Sequence, residues 1–256
     1  MSARDEIDRL LFAATVDGVA HLPTLTDDQL CMLSAGQWPL LQVEVWTSWA
    51  ALDPGVRFER GEAALRQLQA AGHVTSWEHD AHGWRVQAAP ALALVPSARR
   101  SPSYAAFGAG LGQGNDVRAP RVFGIGASDA AEHLVLVELV HGTSHAHRLM
   151  SPTRVARSLA EWATTCVSSD AMGQRVDAVG ILLFRPAAGP ETAWPQPGAY
   201  AVRVAASPDS GASGRVELDA RTPSGRRIAQ PSASATDVAD AIASVCETAA
   251  PAALRA

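Results

Sequence analysis

The first apolar positions of the chain recur at helical spacing. Ile7, Leu10, Leu11 and Ala14 fall on one face, Ser2 stands where a cap belongs and Asp5 three residues on, so residues 2–14 are expected to form an amphipathic helix. Residues 16–22 read as a short strand ended by Pro23. A second helix start follows at Thr26, with Asp27 and Asp28 in the first turn and Leu30, Cys31 and Leu33 as the apolar stripe. Residues 39–49 alternate in part, Leu41, Val43 and Val45 against Gln42, Glu44 and Trp46, which predicts a strand. Residues 58–71 return to a helical period, with Ala63, Ala64, Leu65 and Leu68 inside and Gly72 as the stop. Two short strands, 73–79 and 84–88, then flank a turn, and 91–95 is a further apolar run.

Between residues 97 and 120 the periodicity lapses. Ser, Gly, Arg and Pro dominate, and a segment of this length without a period is expected to be a mobile loop. Tyr104, Phe107 and Leu111 are its only large apolar groups, and Arg99 and Arg100 stand beside them as rim charges. These five are the candidate partner-binding residues, since Tyr offers contact area with few rotors. Anchoring of the same apolar groups to the core is the other outcome that the residues allow.

Regular patterning resumes with a hairpin of strands 134–140 and 146–150. A helix follows, capped by Ser151, with Pro152 at its first position and Val155, Leu159 and Trp162 on one face. Strands at 179–184, 200–205, 215–218 and 226–229 come next, with a Pro-rich connector at 185–198. A last helix begins near Thr236, with Val238, Ala241, Ile242 and Val245 inside. Strands followed by one capped helix thus occur twice. The pattern predicts an α+β fold, an antiparallel sheet with flanking helices, in a single domain. A quasi-twofold repeat of a strand–strand–helix plan is expected, with halves at about 15–167 and 176–248.

Composition narrows the chemistry. All 21 basic residues are Arg, so a Walker phosphate loop, a pyridoxal Schiff base and a kinase strand lysine each lack their central residue. Such a bias suits a high-GC genome, as in actinobacteria. The formal net charge is −5, and the most apolar stretch, 134–140, carries Glu138, so no membrane helix is expected. The charged start MSARDEIDRL has no signal-peptide core, which with three dispersed cysteines (Cys31, Cys166, Cys246) makes a reducing cytoplasm the expected location.

Few residue groups suggest a reaction. In HGTSHAH, His145 and His147 would share one strand face with His141 nearby, an arrangement that two imidazoles could use on a metal; a polar hairpin is the other reading. GAGLGQG at 108–114 lacks the strand before and helix after that a dinucleotide loop requires. No Gly-x-Ser-x-Gly occurs, and no cofactor is expected. Residues 57–87, a helix and a short hairpin, could end a winged-helix unit, the basis of an alternative reading as a transcription regulator with a C-terminal sensing domain. Arg60 and Arg66 are balanced there by Glu59 and Glu62, and the wing carries Glu78 and Asp80, so nucleic acid is not the expected partner.

Four stretches carry a resemblance: LTDDQLCMLSAGQWPLL, ALRQLQAAGHV, the hairpin-plus-helix LVLVELVHG…HRLMSPTRVARSLAEWA, and RVELDARTPSGRRIA…DVADAIASV. Together, from about Thr24 to Val245, the chain resembles the EspG family of type VII (ESX) secretion-associated chaperones of actinobacteria. The helix at 2–14 precedes that family's usual starting strand, and the connector 185–198 is richer in Pro. The resemblance implies a quasi-twofold α+β fold and a cytoplasmic, cofactor-free, non-catalytic protein that grips the helical tip of a PE/PPE-type secretion substrate.

Overall fold

In the computed structural model, α1 (Ala3–Val16) places Asp5 and Glu6 in its first turn and buries Leu10 and Ala14. Strand β1 (Val19–His21) follows, and β2 (Leu25–Thr26) runs straight into α2 (Asp27–Leu33). A reciprocal cap starts α2: the Thr26 N–H donates to Gln29 Oε1 at 2.9 Å and the Gln29 N–H to Thr26 Oγ1 at 3.3 Å. After α3 (Val43–Ala50) comes α4 (Pro54–Ala70), where Asp53 accepts from the Gly55 N–H at 2.8 Å. Gly72, in the left-handed region at φ 75°, ends α4. Its N–H donates to Gln69 O at 2.9 Å and that of His73 to Leu68 O at 2.8 Å, which satisfies the last carbonyls. Next are β3 (Val74–Asp80), β4 (Gly83–Ala88) and α5 (Pro90–Arg100). The order continues with β5 (Tyr104–Leu111), β6 (Arg121–Gly124), β7 (Val135–His141), β8 (Ser144–Met150) and α6 (Pro152–Ser168). It closes with β9 (Ala178–Phe184), β10 (Val202–Ala206), β11 (Val216–Arg221), β12 (Arg227–Ala233) and α7 (Ala235–Ala249). The structure describes residues 3–33, 43–81, 83–100, 102, 104–111, 120–124, 135–168, 176–184, 201–207, 215–222 and 225–249.

The protein is α+β, and its large antiparallel sheet has the order β1-β8-β7-β6-β5-β9-β10-β11-β12, with β2 also on β8. Strands β3 and β4 form a separate ribbon. Eight strands of the large sheet read as two meanders, β5-β6-β7-β8 followed by α6 and β9-β10-β11-β12 followed by α7. They join where β5 pairs with β9, from Ala105↔Phe184 to Leu111↔Ala178. The repeat is therefore four strands and a helix, over 104–168 and 178–249, longer than the strand–strand–helix plan legible in the sequence.

Contacts divide the chain into two units, residues 1–101 with 140–149 and residues 102–139 with 150–256. The helices that close the expected halves at about 15–167 and 176–248, α6 and α7, pack on each other inside the second unit. In the first unit α1 packs on β1 and α5, α2 on α3 and α4, and α4 on β3. In the second, α6 packs on α7, β9 and β10, α7 packs on β10, β11 and β12, and Val155, Leu159, Ala163 and Val167 of α6 are buried. Burial of each Leu- or Val-sized side chain contributes about 1.5–3 kcal/mol. α7 starts on its own cap, with the Ser234 N–H and Oγ–H both donating to Asp237 Oδ2 at 2.7 Å.

Two sequence expectations are corrected. The strand expected at 39–49 is α3 over its second part, because Val45 and Trp49 stand one helical turn apart and Trp49 is buried; a partial alternation with apolar residues on both sides fits either period. The loop expected at 97–120 contains the end of α5 and the whole of β5. Glycine there serves close packing: a Cβ at Gly108 would overlap the Trp162 ring. Residues 112–119 and the connector 185–198 lie outside the described residues. Among the described residues no helix is long and apolar enough to cross a membrane.

Candidate functional site

In the first unit, α2, α3, the turn after α3 and α4 line a cavity of about 300 Å³ that opens to solvent, with Asp27, Asp28, Cys31, Val45, Ser48, Trp49, Leu52 and Arg60 at its wall. The cap that starts α2 sets Asp27 and Asp28 at its head. Asp28 receives Arg60 from α4 as a fork, Nε at 2.9 Å and Nη2 at 2.6 Å, and the same guanidinium lies 5.9 Å from the Trp49 ring centroid. That hydrogen bond to Asp28 raises the Arg60 pKa further, against the opposing effect of burial. Asp27 is held twice. Its N–H donates to Thr143 O at 3.0 Å, and its Oδ1 accepts from His145 Nε2 at 2.6 Å. His145 is 0% exposed, so it can orient Asp27 but cannot itself meet a solute. At the cavity wall the Cys31 thiol is pushed up to about 12, first by burial and then by the charges of Asp27 and Asp28. Such a thiol is not a nucleophile near neutral pH.

A second feature uses the opposite side of α4. Phe58 stacks on Trp84 of β4 at 5.1 Å and meets His79 of β3 edge-on at 5.1 Å, while Trp77 and His79 lie 5.5 and 4.5 Å from the Trp84 ring. Period-two alternation puts Trp77 and His79 on one ribbon face, and the register sets His79 opposite Trp84. The Trp77 Nε1–H donates to Gln69 Oε1 at 3.3 Å, tying the ribbon to α4. Phe58 is 41% exposed and Val56 44%, so an aromatic surface remains open to solvent. Around it Arg85 pairs with Glu78 at 3.3 Å and Asp80 at 2.7 Å.

The five residues singled out in the sequence are divided between the units. Arg99 is buried in α5, which excludes the rim role expected for it. Arg100 is exposed and lines a groove of about 500 Å³ with Leu33, Val86, Ala88, Ala93, Pro96 and Ser97. Tyr104 is buried in β5, and burial pushes its phenol pKa up. Phe107 is half-buried, 5.9 Å edge-on to Phe123, with the Arg121 guanidinium 5.9 Å from its ring centroid. Leu111 ends β5. Tyr104 and Phe107 thus anchor a strand, the other outcome that the residues allowed.

Of the histidines in HGTSHAH, His145 and His147 do share a face of β8, but it is the inner one: His147 Nδ1 lies 3.1 Å from Pro23 O and donates to it, and His141 is exposed. Among the described residues no three His, Cys, Asp or Glu side chains come together as metal ligands. The aromatic ribbon was missed, although SWEHDAHGW carries a local signal for it in four rings (Trp77, His79, His82 and Trp84) within eight residues; the Asp27–His145 and Asp28–Arg60 pairs had no local signal. No protein-family model matches the chain, and no curated protein matches it either.

Proposed function

We propose that the chain is a non-catalytic binding protein, similar to the EspG-type chaperones, that works in the cytoplasm and holds the apolar helix tip of a PE/PPE-type secretion substrate. The observation that carries this reading is the aromatic cluster Phe58, Trp77, His79 and Trp84, in which Phe58 and His79 are exposed and the two Trp rings half-buried. Exposed rings cost solubility, and clustered Trp and Phe side chains are the groups that dominate protein interfaces because they bury large area with few rotors. The two-meander sheet fits the quasi-twofold plan that the resemblance implies. Co-expression with the PE- and PPE-type proteins encoded beside it is expected to yield a co-purifying complex. Trp84→Ala should weaken that complex by about 2 kcal/mol, roughly thirtyfold. Absence of any complex, or a complex indifferent to Trp84→Ala, defeats this reading.

A winged-helix regulator is the second reading, favoured by the order α3, α4 and then the β3–β4 ribbon. Against it, Arg60, Arg66 and Arg85 are each engaged by carboxylates, so these three offer little free charge to phosphates. A specific, salt-sensitive gel shift with the upstream DNA would reverse the ranking.

A further inference from the structure

We infer that the cavity between α2, α3 and α4 is a binding site for an alkylguanidinium cation. Its volume of about 300 Å³ matches the lower end of small-ligand sites. Its lining has the two halves such a ligand needs: Val45, Trp49 and Leu52 for an alkyl chain, and Asp27 and Asp28 for the charge. Among the described residues the lining holds two carboxylates and one guanidinium, that of Arg60, while the buried Arg99 adds its charge from behind Cys31.

Arg60 displays the recognition already at work. Its guanidinium forks onto Asp28 and lies 5.9 Å from the Trp49 centroid, the carboxylate-and-indole arrangement that suits this planar cation better than an ammonium. Asp27 offers the second carboxylate, and it is held in place before any ligand arrives. His145, wholly buried, grips its Oδ1, and the Thr143 carbonyl grips its N–H. A group fixed from behind loses little freedom on binding, which is where preorganised sites gain affinity. The Cys31 thiol, raised by burial and by both aspartates, stays protonated, so binding is non-covalent.

The cation can be a free small molecule or an arginine side chain of another protein. Binding is measured on the isolated chain, so its failure would leave the capture of a secretion substrate untouched. The probes are butylguanidinium and N-acetyl-arginine amide, followed by calorimetry on the full chain at constant ionic strength. Butylguanidinium is expected to bind the wild type. Asp27→Asn should weaken it tenfold or more, about the worth of a charged hydrogen bond. Arg60→Ala should strengthen it about tenfold, because a like charge at close range is removed. These opposite signs separate recognition from a merely structural role. Val45→Trp, which fills the apolar wall and leaves every charge in place, should abolish binding, and it keeps the test open where Asp27→Asn does not fold. Binding of both probes assigns the site to a chain-borne arginine, and of butylguanidinium alone to a small molecule. No heat beyond that of sodium chloride, the same direction of change in Asp27→Asn and Arg60→Ala, or unaltered binding in Val45→Trp would each overturn the inference.

Discussion

Gly108→Ala tests most directly whether residues 104–111 are a packed central strand. Gly108 faces Ile181 of β9 in the register and its N–H donates to Pro120 O at 3.2 Å. A Cβ added there would overlap Cη2, Cζ3 and Cζ2 of Trp162, a half-buried residue of α6. To admit the methyl group, the indole must leave its place or α6 must lift from the sheet. Overpacking of this kind costs about 1–3 kcal/mol. The unfolded chain loses freedom when Gly becomes Ala, which offsets about 0.4–1 kcal/mol. The net expectation is a loss of about 1–2 kcal/mol, whereas in a mobile loop only the gain would remain. The two descriptions therefore differ in sign. Urea unfolding followed by near-ultraviolet circular dichroism should show a lower midpoint at unchanged slope. Trp162→Leu carries its own cost, but in that background Gly108→Ala should lose most of its penalty, a coupling of the size expected for residues in contact. Equal or higher stability of Gly108→Ala, or a full penalty that persists beside Trp162→Leu, would refute the packing described for β5.

Two further outcomes follow from perturbed ionisations. The Arg227 guanidinium, forked onto Asp219 at 2.9 and 3.1 Å, holds that carboxyl below its ordinary value. The stabilisation from this pairing is complete above the ordinary carboxylate range and is lost as pH falls through the lower folded value, so Arg227→Ala should flatten the acid loss of stability below about pH 4, read from thermal melts across pH. With its pKa pushed up to about 12, Cys31 holds about one thiolate in ten thousand at pH 8. Iodoacetamide should leave it unlabelled in the native protein and modify it in urea, and native labelling at the rate of a free thiol would show the burial to be wrong.

What the sequence disclosed follows from how local each signal is. α6 was legible because its cap, its N-terminal Pro152 and the stripe Val155, Leu159, Ala163 lie within a dozen residues. α4 ends where Gly72 says it should, since only a left-handed residue completes the two closing hydrogen bonds. β5 failed the same kind of reading for a physical reason. It lies at the middle of the sheet, with Ala105, Ala106 and Tyr104 buried and Gly108 pressed by Trp162, so small residues are required for fit. A strand covered on both sides need not alternate, and one made of Ala and Gly carries the composition of a loop. α3 was missed because Val45, Trp46 and Trp49 load both sides of the segment, which blurs the distinction between periods of 2 and 3.6.

The candidate site was harder to see because its pairs are distant along the chain. Asp27 and His145 are separated by 118 positions, and Arg60 and Asp28 by 32. Two aspartates at a helix start look sufficiently explained by the helix dipole, and alternate histidines in a hairpin look like a wet face. Period-two alternation correctly puts His145 and His147 together, but it does not say which face is covered. That is decided by residues 22–27: Leu25 and Thr26 pair with His145 and Ser144, and the Leu22 N–H donates to His147 O at 3.0 Å. This segment lies along β8, so the imidazoles turn inward and need polar partners, which Asp27 and the Pro23 carbonyl provide. One of those partners carries the charge that faces the cavity. The burial of His145 and the orientation of Asp27 are thus two results of a single strand pairing. A change that loosens β2 from β8 should disturb cation binding before it disturbs the second unit, whose helices and strands close their own core.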